Sequence, residues 1–205
     1  MIEVALSDGS RFFVLAALWR RSGMEEGRPC SVAQLERLQL ESEAALAEQK
    51  AVALLARREY SRSELTLRLQ QRGYGETAVA TVLDRLSSRG LQDDARFARA
   101  WIESRLRRRP QARRQLLLGL RARGVAAAVA GEALDAYDRD NPHWQNDALR
   151  RALERAQRGS CDGRRLAARL ARLGFEPAAI RRALGRSAEG GDAAGPEDMI
   201  ARTDS

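Results

Sequence analysis

A catalytic or metal-binding reading of this chain has few groups to start from. It holds one histidine, His143, and two cysteines, Cys30 and Cys161. His143 follows Asn141-Pro142 and reads as an exposed residue at a helix start, with no nucleophile in its context. Cys161 lies in Gly-Ser-Cys-Asp-Gly, a turn between helices, and a thiol there lacks the second histidine that nucleophilic catalysis would call on. The two cysteines are far apart and fit no metal-ligand spacing, which points to reduced thiols in a cytoplasmic protein. Asp93-Asp94 offers two adjacent carboxylates, but a hard cation needs more oxygen ligands than that. At a helix start the pair serves better as an N-cap and a complement to the dipole. No glycine-rich phosphate loop is present. The expectation is a protein that is not an enzyme and has no catalytic, cofactor or metal residues.

What the chain has in abundance is arginine. Of its 36 basic residues all but Lys50 are Arg, and the net charge is +8. Residues 187–205 carry five acids against Arg202, a net of −4, so residues 1–186 carry +12. Such a body favours a polyanion or an acidic protein surface as partner. Guanidinium groups bind phosphates and carboxylates bidentately. The densest run is Arg105, Arg107, Arg108, Arg109, Arg113 and Arg114, and these are the first candidate contacts with a partner or DNA. Arg57, Arg58 and Arg62 are the second set, although a helix C-terminus would attract Arg57 and Arg58 without any partner.

These side chains must be carried by helices. Sparse aromatics, 5% of the chain, leave a core of Leu, Ala and Val. Ser31-Val-Ala-Gln34 and Ser61-Arg-Ser-Glu64 have capping-box spacing. Leu65, Leu69, Gly73, Tyr74, Val79 and Leu83 recur as Leu116, Leu120, Gly124, Val125, Ala130 and Leu134. They recur again as Leu166, Leu170, Gly174, Phe175, Ile180 and Leu184, at periods of 51 and then 50 residues. Two leucines four apart share a helix face, glycine takes the left-handed position after the last turn, and a second helix follows. With a helix upstream of each (about 44–59, 94–109 and 143–158), the reading is three helices per unit and about nine in all.

The expected fold is therefore all-α, tandem three-helix repeats in an elongated or curved array. A small β-hairpin at Asp8-Gly9 precedes them, joining residues 2–6 to 11–15. The expected divisions are 1–43 for hairpin and lead-in helix, 44–92, 93–140 and 141–186 for the repeats, and 187–205 for a disordered acidic tail. No stretch is apolar for long enough to span a membrane, and the first residues do not read as a signal peptide. Tyr74, Trp101 and Phe175 lie in the apolar register and read as core.

Four passages resemble the RecX family of RecA regulators. They are Arg57-Arg58-Glu59-Tyr60-Ser61-Arg62-Ser63-Glu64-Leu65, Leu69-Gln-Gln-Arg-Gly73-Tyr74, Leu86-Ser-Ser-Arg-Gly90-Leu91-Gln92-Asp93-Asp94-Ala95-Arg96-Phe97-Ala98, and Leu120-Arg-Ala-Arg-Gly124-Val125. The strand–Asp-Gly–strand segment looks like the family's lead-in. Arg109-Pro110-Gln111 departs from it, since family members often carry a glycine there. The resemblance implies a monomeric regulator, usually an inhibitor, of RecA recombinase in homologous recombination. Such a protein binds the RecA–single-stranded DNA filament, touches DNA weakly on its own and needs no cofactor. The residues alone leave a second reading open, a sequence-nonspecific DNA-binding protein whose paired helices resemble a helix-turn-helix.

Overall fold

The computed structural model describes residues 1–159 and 162–189, with side chains through 185. Cys161 and all but the first residues of the acidic tail lie outside the described residues. Ten helices and one two-stranded sheet are seen among those described. Nine of the helices are those expected of three repeats: α2 (Val32–Leu55), α3 (Arg62–Gln70), α4 (Glu76–Ser88), α5 (Asp94–Arg108), α6 (Arg113–Arg121), α7 (Ala127–Asp140), α8 (Trp144–Gln157), α9 (Gly163–Arg172) and α10 (Pro177–Glu189). The tenth, α1 (Ala16–Ser22), has no counterpart in the sequence reading. Its N-cap is Leu15, which offers no side-chain acceptor, so the usual start signal is missing.

Two compact units are formed, one by Met1–Ala100 with Leu120–Ala130, the other by Trp101–Gly119 with Gly131 onward. In the first, strands β1 (Ile2–Ala5) and β2 (Arg11–Val14) pair antiparallel, Ile2 opposite Val14. The Asp8 carboxylate accepts from the Ser10 backbone at 2.8 Å and closes the turn. A hairpin this short is marginal alone. It is held by burying Val4 and Val14 with Leu38 of α2, and by the Leu15 N–H donating to the Ser42 hydroxyl at 2.9 Å.

Helix α2 is continuous, joining the lead-in helix to the first helix of the first repeat. The capping box of Ser31 and Gln34 starts it, and no glycine or proline interrupts it. Ala44, Ala47, Ala51 and Leu54 line its buried face against Leu65 and Leu69 of α3 and Val79, Val82, Leu83 and Leu86 of α4. The small alanines let α2 and α4 approach closely. Burying a leucine fully contributes about 1.5–3 kcal/mol, so this cluster carries the unit.

In the second unit Ile102, Leu106, Leu116 and Leu134 are buried, and α8, α9 and α10 pack together. Leu149 and Leu153 of α8, Leu166 and Leu170 of α9 and Ile180 of α10 fill that bundle. Phe175 is buried as expected, whereas Tyr74 and Trp101 are only half-buried. Trp101 lies flat against Gly119, where a β-carbon would overlap its ring.

Candidate nucleic-acid interface

The turn after the second helix of a repeat docks, in each unit, on the start of the second helix one repeat earlier. In the first unit the Ser61 hydroxyl donates to the Arg123 carbonyl at 2.6 Å. In the second unit the Ala112 N–H donates to the Leu173 carbonyl at 3.0 Å. Ala112 stands 51 residues after Ser61 and Leu173 stands 50 after Arg123, so the two contacts are the same joint. Its glycines are doubly constrained. Gly124 has φ +75° and presses on the Ser63 side chain; Gly174 has φ +87° and a β-carbon there would stand 2.7 Å from Gln115 Cγ.

Ser61 serves this joint as well as its helix. It accepts from the Glu64 N–H at 3.0 Å, which is half of the expected capping box. The Glu64 carboxylate instead turns to Arg58, 3.3 Å away, and Arg123, 3.6 Å away. Glu59 pairs with Arg96 at 2.6 Å, and that bond, ahead of every other influence, raises the Arg96 pKa further above its ordinary value. Asp93 caps α5, accepting from Ala95 N–H at 2.7 Å and Arg96 N–H at 3.2 Å. Asp94 accepts from Arg62 N–H and from the Gln92 amide, each at 2.8 Å. Both carboxylates are thus engaged in structure, and no cluster of metal-ligating groups occurs among the described residues. His143 is exposed at the N-cap of α8.

The arginines singled out by sequence fall into two kinds. Arg58 lies over the Tyr60 ring, 3.7 Å from its centroid, besides pairing with Glu64. Arg62 pairs with Asp84 at 2.7 Å. Arg105 donates to the Gln111 side chain at 2.7 Å, and Arg113 is clamped between Asp135, at 2.5 Å, and Asp138. These four spend their charge within the fold. Arg57, Arg107, Arg108, Arg109 and Arg114 are exposed, and none of them forms an ion pair among the described residues.

Three further arginines, absent from the sequence reading, join the second set. Arg155 of α8 reaches the carbonyl of Arg108, donating at 3.3 Å. With Arg109, Arg169 and Arg172 it rims a cleft of about 600 Å³ floored by Pro110, Ala152 and Leu173. Arg155 and the α9 pair Arg169 and Arg172 lie more than forty residues from Arg109 along the chain, and the fold brings them to it.

Comparisons with known proteins agree with this architecture. Residues 47–86 match the family description "RecX, first three-helix domain" and residues 93–134 match "RecX, second three-helix domain". The regulatory protein RecX of Chromohalobacter salexigens is 41% identical over 142 residues, 68% of this chain and 91% of that protein. That of Treponema pallidum is 38% identical over 144 residues, 70% and 87% of the two chains. A crystal structure of regulatory protein RecX superimposes with a TM-score of 0.68 at 17% identity, covering 86% of this chain and 91% of the other. That of RecX from Lactobacillus salivarius gives 0.60 at 18%, covering 70% and 96%. At such identities the two structures speak for the fold.

Proposed function

Because this chain belongs to the RecX family of regulatory proteins, we propose that it regulates RecA by binding the RecA–single-stranded DNA filament. Bound there, it limits ATP hydrolysis, strand exchange and filament extension. It acts by occupancy, not by chemistry of its own. The observation that carries this is the split among the arginines. Arg107, Arg108, Arg109 and Arg114 are solvent-facing and uncompensated on a family member with a strongly basic body. An exposed charge with no partner gives the fold little, so it is free to meet phosphates or acidic side chains. Arg57 is available in the same way at the end of α2. Arg58, Arg62, Arg105 and Arg113 are held by internal partners and contribute to the surface field more than to direct contacts. The chain works as a monomer in the cytoplasm, and no helix among the described residues is long and apolar enough to cross a membrane.

Co-sedimentation tests the binding step. RecA assembled on single-stranded DNA with a slowly hydrolysed nucleotide should carry the protein into the pellet, and much more of it than equal DNA without RecA. Equal recovery on bare DNA would favour the sequence-nonspecific DNA-binding reading. No recovery on either would end the proposal.

A further inference from the structure

The two copies of the inter-repeat joint differ in their charges. In the first, Glu59 and Glu64 sit among the arginines and neutralise them: Glu64 meets Arg58 and Arg123, and Glu59 meets Arg96. The equivalent positions one repeat on, 51 residues later, are Pro110 and Gln115. Both carboxylates are gone. Of the first joint's arginines only Arg58 keeps an arginine in the equivalent place, Arg109, while Arg96 and Arg123 give way to Asn146 and Leu173; the second joint has Arg155, Arg169 and Arg172 around Arg109 instead. No carboxylate lines this cleft, and none of its four arginines forms an ion pair among the described residues.

The backbone beneath the cleft is fixed from several sides. The Ala112 N–H holds the Leu173 carbonyl, the Gln115 amide reaches the Arg172 carbonyl at 3.5 Å, and Gly174 is pinned against Gln115. Arg155 is tethered to the end of α5 through the Arg108 carbonyl. Four guanidinium groups therefore surround an apolar floor on helices that are packed together. Like charges lining one cleft favour an anion among them.

We infer that the cleft between the α5–α6 turn, α8 and α9 is a binding site for the phosphodiester backbone of single-stranded nucleic acid, opened by replacement of Glu59 and Glu64 of the first joint with Pro110 and Gln115 in the second. A strand is favoured over a small anion because four arginines line the cleft, more than one phosphate needs, and the exposed Arg107 and Arg108 precede Arg109 in the chain. The apolar floor of Pro110, Ala152 and Leu173 suits sugar and base edges better than an acidic peptide. The inference rests on the filament reading for its setting and names the component of the filament this site takes, the DNA strand.

Fluorescence anisotropy of a dye-labelled oligothymidylate titrated with the full chain provides the test. Three variants are compared with the parent: R155Q/R169Q/R172Q, Q115E, and R20Q/R21Q/R37Q as a charge-matched control far along the chain. The cleft triple variant should bind at least tenfold more weakly. Its salt slope, d log K/d log [salt], should fall by about 2 in magnitude, since each single-strand phosphate contact contributes about 0.7. Q115E, which restores the first joint's carboxylate in a side chain of the same shape, should weaken binding several-fold with unchanged helicity. The control should change affinity less than the cleft triple variant and about in line with its net charge.

Equal losses in the cleft and control triple variants, or unaltered binding by Q115E and the cleft triple variant, would overturn the site. Binding of an acidic peptide but not the oligonucleotide at the cleft would also overturn it. RecA ATPase assays run on the same variants separate the two claims. Loss of oligonucleotide affinity with inhibition retained keeps both the site and the regulator. Parent protein that binds the strand through the cleft but leaves RecA unaffected keeps the site and removes the regulator.

Discussion

Gly124→Ala should damage the protein far more than Gly73→Ala, although both glycines end the second helix of a repeat in the left-handed region. Their φ values are +75° and +87°, and a side chain in that region costs about 1–2 kcal/mol. Gly73 has open space where the β-carbon would go, so G73A should cost only that amount. Gly124 faces Ser63, with both the β-carbon and hydroxyl of that residue in the way. The β-carbon cannot swing aside without moving α3, so overpacking adds roughly 1–3 kcal/mol. G124A should therefore lose about 2–5 kcal/mol in all. Urea unfolding followed by helical circular dichroism measures both, and Ser63→Gly in the G124A background should recover more stability than it does in the parent, with a coupling of about 0.5–3 kcal/mol. If G124A proved no worse than G73A, or the coupling were zero, the docking of the turn on α3 would be refuted.

Other predictions follow from single contacts. Leu69, Leu120 and Leu170 are fully buried, so each change to Ala should cost about 2–5 kcal/mol by urea unfolding; a loss below 1 kcal/mol at any of them would break their equivalence. Replacing Arg107, Arg108, Arg109 and Arg114 by Gln should leave melting nearly unchanged while weakening filament binding and flattening its salt dependence; undiminished binding would move the contact surface elsewhere. Arg113→Gln should do the reverse, lowering stability by up to about 1 kcal/mol through loss of its Asp135 and Asp138 partners, with filament binding close to that of the parent.

The repeat was legible because burial forces it. Leu65, Leu116 and Leu166 with their partners four residues on must face a core, and the glycines after them must take positive φ; both demands show as fixed spacing. Helix α1 escaped because no side-chain N-cap opens its seven residues, although Gly23 closes them in the left-handed region, and its shelter is long-range packing on α2. Ser61-x-x-Glu64 looked like a local box, but Glu64 had a better use, two arginines brought to it by the fold. Density of arginine along the chain located an exposed set and an internally paired set without distinguishing them, since the partners Asp84, Asp135 and Asp138 are more than twenty residues away. The cleft at Arg109, Arg155, Arg169 and Arg172 was readable only by laying one repeat over the next and noticing where carboxylates drop out.

The most direct test of the regulatory reading is the rate of ATP hydrolysis by RecA on single-stranded DNA as this protein is titrated in. The rate should fall at or below one protein per RecA, the protein alone should hydrolyse nothing, and the quadruple arginine variant should need a higher concentration for the same effect. A RecA rate and filament length that stay constant across a broad titration would contradict it.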